Sequence, residues 1–321
     1  MRYTAARAQT RKLFWRQLVD RPRPWIELDV GRFDPRRIQA VKHRLEGHPL
    51  LELPALSRFA ERMSPLGQLR FHGNTTTAAT AFNTAPTEHA TGLTAVETVQ
   101  SIERAGSWVS FLNIQTDPEY RALVDEVLDG LKPELERVDP GMYGYAGWIF
   151  LTSPRVVTPF HMDRENNFIL QVRGDKRIHV WDPNDHAVVT PRIREDFNTY
   201  RSRDKQVYKD EFLPRAQIFD AKPGDGAFMP SNGPHWVRNG DNVSVTVSFT
   251  YYTRATKRFE TLCRANSALR RLGLRPPAAG SSQLRDTVKQ RAYTAFLLAK
   301  GLLGKTSGEL PFGQRYAPHE S

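Results

Sequence analysis

His161 and Asp163 stand two residues apart in Thr158-Pro159-Phe160-His161-Met162-Asp163. In an extended strand, residues i and i+2 share a face, so one imidazole and one carboxylate can meet a single metal ion while Met162 turns away. Two donors do not complete a site. His235, in Pro234-His235-Trp236-Val237, lies 72 residues beyond Asp163 and is the natural third. Two His and one carboxylate on one side of an ion leave its other positions open, as non-haem Fe(II) oxygenases require for a co-substrate and oxygen. If that co-substrate is 2-oxoglutarate, its far carboxylate needs a cation deeper in the fold. Lys176 follows the tight turn Gly174-Asp175 and can point inward, and Thr158, three residues before the first ligand, can add a hydroxyl. An interior ammonium is costly unless paired, and a bound dicarboxylate would be its partner.

The elements around these residues read as β. From about Gly144 to Thr253 the chain breaks into short apolar runs: 146–152, 156–162, 167–172, 177–181, 217–220, 226–229, 235–237 and 243–252, separated by Gly, Pro, Asn and Asp. Many short strands of this kind predict a sandwich or closed barrel, in which ligands far apart in sequence converge. The segment Gly224-Asp225-Gly226-Ala227-Phe228-Met229-Pro230 is a turn and a short strand that would place His235 near a barrel mouth. Between Trp181 and Gln217 a polar, aromatic insert shows no clear period and is a candidate lid or substrate-contacting segment.

The flanks read as helical. The pattern Ala8, Leu13, Phe14, Leu18 predicts a basic amphipathic helix over 4–19, and Asp34-Pro35 predicts another running to about Leu45. A short helix follows Pro54, with Leu56, Phe59 and Met63 on one face. Residues 70–90, rich in Thr, Ala and Asn, read as a long loop, a class of segment that is often functional. Thr94 and Glu97 have capping-box spacing before a helix to about Ala105, a strand follows over 108–114, and Asp117-Pro118 opens a further helix. After the β region, helices are expected over 257–272 and 286–303, joined by a Pro-Ala-Gly-Ser linker at 276–282. The apolar side of 286–303 needs a cover, from its own domain or a second subunit, and a homodimer through these helices is the expected assembly. A membrane-surface contact is the weaker alternative.

With the motif in place, residues from about Trp148 to Tyr252 resemble the JmjC and cupin-like Fe(II)/2-oxoglutarate oxygenases, close in motif to the asparaginyl hydroxylase that acts on hypoxia-inducible factor. Thr158, Pro159, His161, Asp163, Asn167, Phe168, Gly174, Lys176, Arg177 and His235 carry the likeness. The resemblance implies Fe(II) held by His161, Asp163 and His235, and 2-oxoglutarate held by Thr158 and Lys176 with Asn167 nearby. It also implies a tyrosine from an earlier strand, Tyr143 or Tyr145, beside the co-substrate, with Tyr145 the candidate. Ser248, in Val245-Thr246-Val247-Ser248-Phe249, occupies the place of an Asn in that branch and is a further co-substrate candidate. The implied fold is α+β: a double-stranded β-helix of jelly-roll or cupin type, with N-terminal helices and a C-terminal helical extension. The expected division is a mainly helical region over 1–106, a catalytic core over 107–254 with its insert at 182–216, and a helical region over 255–321. The implied activity is hydroxylation with O2, releasing succinate and CO2. The other reading is a non-catalytic cupin barrel that binds metal as a sensor and meets an anionic partner.

Composition bounds these readings. The chain has 321 residues, 39% hydrophobic and 25% charged, which is ample for a packed core. Its single cysteine, Cys263, excludes an intramolecular disulfide and a cysteine-based zinc site, and suits a reducing compartment. No secretory leader and no run of about 18 apolar residues is visible, so a cytoplasmic location without a transmembrane segment is expected. The net charge of +11 favours an acidic partner, yet no block of five or six basic residues reads as a nucleic-acid tail, and nucleic acid is not an expected partner. Arg164, Arg173, Arg192, Arg194, Arg201, Arg203 and Arg238 lie in or near the β region, so an acidic substrate is expected if they ring the site. Protein side chains, peptides and small molecules all fit the motif.

Overall fold

The computed structural model of the chain describes residues 24–299, 301, 315 and 316. The helix expected over 4–19 lies outside the described residues, as do Leu302 and Leu303 of the last predicted helix. Twelve strands are described: β1 (Ile26–Glu27), β2 (Gln39–His43), β3 (Leu69–Gly73), β4 (Ser107–Phe111), β5 (Tyr143–Thr152), β6 (Val157–His161), β7 (Asn166–Arg173), β8 (Lys176–Val180), β9 (Gln217–Ala221), β10 (Asp225–Met229), β11 (His235–Asn239) and β12 (Ser244–Tyr252). The described α-helices are α1 (Leu53–Met63), α2 (Ala85–Glu88), α3 (Ala95–Gln100), α4 (Pro118–Val138), α5 (Pro191–Tyr200), α6 (Arg254–Arg271) and α7 (Gln283–Ala299).

One sheet runs β1-β2-β10-β7-β12-β5-β4-β3 and the other β6-β11-β8-β9, with every pairing antiparallel. Strands β5 to β12 pass between the two sheets as a double-stranded β-helix, which is the jelly-roll core expected from the motif. Alternation sorts each strand of the larger sheet. Ile149, Leu151, Phe168, Leu170, Val245, Val247 and Phe249 face outward into one apolar core with Leu56, Phe59 and Met63 of α1 and Leu123, Val124, Val127 and Leu128 of α4. Each such side chain contributes about 1.5–3 kcal/mol by leaving water. Gly147 is what lets α4 lie so close, since a Cβ there would sit 2.7 Å from side-chain carbons of Ile114 and Val124.

Local signals explain the helices that were foreseen. Asp117 accepts the free Glu119 and Tyr120 N–H groups at the start of α4, and Thr94 and Glu97 form a complete capping box on α3. Two expectations fail. The Asp34-Pro35 signal opens a turn instead of a helix, with Asp34 bonding Arg36, and the chain continues into β2, which pairs with β10. Val41, His43 and Leu45 are buried while Lys42 and Arg44 are exposed, a period of two that the cap signal had masked. The described part of 1–106 therefore supplies β1, β2 and β3 to the larger sheet as well as helices. The insert, which showed no clear period, holds α5, capped by Thr190, and its Val188, Val189, Phe197 and Phe212 pack with Phe160, Met162 and Trp181.

Candidate metal centre

Strands β6 and β11 are neighbours in the smaller sheet with His161 directly opposite His235, which brings the two imidazoles to one level. Their ring centroids are 4.2 Å apart, and their Nε2 atoms lie 3.8 and 3.7 Å from Asp163 Oδ2. The tautomers are fixed by the backbone. His161 Nδ1 donates to the Pro159 carbonyl at 2.8 Å and His235 Nδ1 to the Gly233 carbonyl at 3.1 Å. A carbonyl only accepts, so each proton sits on Nδ1 and each Nε2 lone pair is free to bind a metal. Burial, followed by the neighbouring His235, holds His161 well below its ordinary pKa and keeps it neutral. Burial raises the Asp163 pKa, but His161, His235 and Arg203 outweigh it and hold the carboxyl ionised below its usual range. The three donors lie within 4.8 Å of one another and form the only such cluster of His, Cys, Asp and Glu among the described residues.

The surroundings hold this set in place. Arg203 donates to Asp163 Oδ1 at 3.1 Å and to the Met162 carbonyl at 3.2 Å, Gln206 accepts the Met162 N–H at 2.8 Å, and the Asn232 N–H bonds the Asp163 carbonyl at 2.7 Å. Phe82 stacks on His161 with centroids 4.1 Å apart, and Arg70 bonds the Phe82 carbonyl and lies 4.4 Å over its ring.

Deeper in the barrel, Lys176 is buried and donates to Thr246 Oγ1 at 2.5 Å, which donates to Gln171 Oε1 at 2.8 Å. It has no ion-pair partner among the described residues, and burial alone brings its pKa down to about 7. Gly174, in the left-handed region at φ 71°, makes the turn that sets this register. Thr158 Oγ1 accepts the Trp108 indole N–H at 2.9 Å. The Asn167 Oδ1, Ser248 Oγ and Ser110 Oγ atoms are buried without a partner. Orphaned polar atoms on the inside of a barrel mark space for a polar ligand.

A family model for a cupin-like domain matches residues 58–257, well over half of the chain. The chain belongs to the cupin-like domain family. Solved structures similar to it include Escherichia coli ycfD, with 13% identity over 94% of this chain and 77% of that one and a TM-score of 0.46. Another is YcfD, described as a ribosomal oxygenase from the same organism in complex with cobalt and 2-oxoglutarate, with 14% identity over 92% and 75% and a TM-score of 0.43. The DMSP lyase DddQ from Ruegeria pomeroyi DSS-3 matches 34% of this chain and 39% of its own at 15% identity, with a TM-score of 0.22.

Within this cupin-like domain, the structure brings His161, Asp163 and His235 together and turns Thr158, Asn167, Lys176 and Ser248 toward the interior. Tyr145 is the exception. It belongs to the outward core, under Arg315 at 5.5 Å and on the same face as Gly147, so the β5 backbone separates it from the co-substrate candidates. Of the seven arginines named from the sequence, Arg203 bonds the ligand residue Asp163, Arg164 lies 3.8 Å from Glu260, Arg194 is buried against the Pro183 carbonyl, and Arg173 and Arg238 are exposed. Phe82 and Trp108 went unnoticed in the sequence. A long unperiodic loop and an indole alternating with inward Ser110 were their signals.

Proposed function

We propose that the chain is an Fe(II)- and 2-oxoglutarate-dependent dioxygenase, acting as a hydroxylase that uses O2 and releases succinate and CO2. The observation that carries this reading is Lys176, a buried cation with only a hydroxyl for a partner, on the same inner face as a two-His, one-carboxylate cluster. Register places Lys176 opposite Asn239 and Val180 opposite His235, so the two groups are separated by about 13 Å along the strand. A long lysine side chain and a five-carbon diacid together bridge that distance.

Fe(II) would be held by His161, Asp163 and His235, and with 2-oxoglutarate and O2 it supplies the oxidation that inserts a hydroxyl into a nearby C–H bond. The chain's own residues do the rest. Asp163 is the one carboxylate ligand, and Arg203 fixes that carboxylate's second oxygen. Lys176 and the Thr158 hydroxyl would take the distal carboxylate, with Asn167 and Ser248 offering unpaired polar atoms along the same wall. Phe82 covers one face of His161 and restricts water there. Cupins that merely sense metal have no need of Lys176, which weighs against the non-catalytic reading.

The test is succinate formation from 2-oxoglutarate by the purified chain with Fe(II) and O2, against His161→Ala and Asp163→Ala. Succinate from the wild type and none from either variant is expected; tight metal binding without any succinate would overturn the proposal in favour of a metal-binding module. Two further parts of the reading follow from exposure and composition. Leu284, Val288 and Leu298 of α7 are exposed among the described residues, and a second copy is the proposed cover. No described helix is long and apolar enough to cross a membrane. The lone, buried Cys263 thiol suits the cytoplasm.

A further inference from the structure

Away from the barrel, the groove between α5 and the last turns of α6 encloses a cavity of ≈370 Å³ lined by Arg192, Lys205, Arg270 and Arg271, with hydroxyls from Tyr200 and Ser202. Its charges do not balance. Lys205 pairs with Asp196 at 2.6 Å, and Arg270 pairs with the buried Glu195 at 2.5 Å. Arg271 bonds only the neutral Tyr200 hydroxyl, over whose ring it lies at 5.1 Å, and Arg192 has no acid within ion-pair reach among the described residues. Two guanidiniums thus face one cavity uncompensated. The carbonyl end of α6 contributes about half a negative charge there, too little to offset both.

We propose that this cavity binds a phosphate group. A guanidinium presents paired N–H donors that match two oxygens of one anion, and phosphate has enough oxygens for two such forks together with the Tyr200 hydroxyl, the Ser202 hydroxyl being committed to Asp204 at 2.8 Å. A carboxylate, with a single charge and two oxygens, would leave one guanidinium unmatched. The walls are already built: Arg270 is held by Glu195, and Arg192, Asp196 and Tyr200 lie one turn apart along a single face of α5. Ser202 and Lys205 flank Arg203, so the segment that braces Asp163 also forms one side of this cavity. Nothing in this assignment depends on the barrel's activity.

Calorimetric titration of the metal-free chain with pyrophosphate, and separately with a phosphoserine peptide, tests the proposal. Saturable binding of either is expected, and the tighter of the two names a free or a protein-borne phosphate as the source. Arg192→Gln with Arg271→Gln should weaken binding by at least about tenfold, whereas Lys176→Ala should leave it unchanged. Both arginines are exposed, so the double variant is expected to keep the wild-type far-UV circular dichroism and melting temperature. The proposal is overturned by equal affinity in the double variant, by loss of binding in Lys176→Ala, or by no heat from either ligand at millimolar concentration.

Discussion

The two faces of β5, β7 and β12 are made by the same three strands and have opposite chemistry. Outward, Ile149, Leu151, Phe168, Leu170, Val245, Val247 and Phe249 join the helices in a dry core. Inward, the same strands present Asn167, Gln171, Thr246 and Ser248, some of them with buried atoms that bond nothing. Apolar burial stabilises the outer face, where the Tyr145 and Tyr251 hydroxyls are the unpartnered exceptions, while the inner face carries a desolvation cost that a polar ligand would offset. Stability and function are therefore separable by the parity of a residue along one strand.

That contrast can be attacked from both sides. Asp163→Ala removes the only anionic donor of the cluster and should reduce both Mn(II) or Co(II) affinity and succinate formation by more than about a hundredfold, exceeding the loss known for outer-sphere changes. Titrating each metal into wild type and variant checks it. Lys176→Met should weaken 2-oxoglutarate binding by roughly a hundredfold, the scale of removing one partner of a buried charge pair. The pH response has a definite sign. With its folded pKa near 7 and its unfolded value near 10.4, Lys176 binds fewer protons in the folded chain across that window. The ligand-free wild type should therefore gain stability as pH rises from about 7 to about 10.4, and Lys176→Met should lack that part of the slope. The affinity of wild type for 2-oxoglutarate should fall as pH rises above 7, because the proton must be recovered on binding.

Arg203→Ala, which frees one oxygen of Asp163, should lower metal affinity by about 10- to 100-fold while leaving the fold intact. On the outer face, Gly147→Ala forces a methyl against Ile114 and Val124 and should cost about 1–3 kcal/mol in denaturant unfolding, with 2-oxoglutarate affinity unchanged. The smallest effect belongs to Tyr145→Phe. Its KM for 2-oxoglutarate should match the wild type, and a KM raised tenfold would break the assignment of inner and outer faces.

Much of this was visible in the residues. His161, Asp163 and His235 were legible because strand parity and a turn before His235 are local properties, and Lys176 because a tight Gly-Asp turn precedes it. The α3 and α4 starts were legible through their caps. Tyr145 was misassigned because the resemblance called for a tyrosine from an earlier strand without fixing which one, whereas plain alternation with Gly147, Ile149 and Leu151 already sends it outward. The helix expected after Asp34 gave way to β2 because pairing with β10 rewards an extended chain that the capping signal alone cannot register. Phe82 and Arg203 reach His161 and Asp163 from loop and insert segments that carry no period to read.

The sequence by itself determined the donor types, their order and the alternation that sends them to one side of a strand, since all of these follow from chemistry within a few residues. Only the tertiary structure decided that Lys176 lacks a counter-charge, that Tyr145 faces the helices, and that four basic residues of α5, α6 and the segment between α5 and β9 share one cavity. Each of those depends on what the rest of the chain places beside a group, and burial turns that neighbourhood into energy.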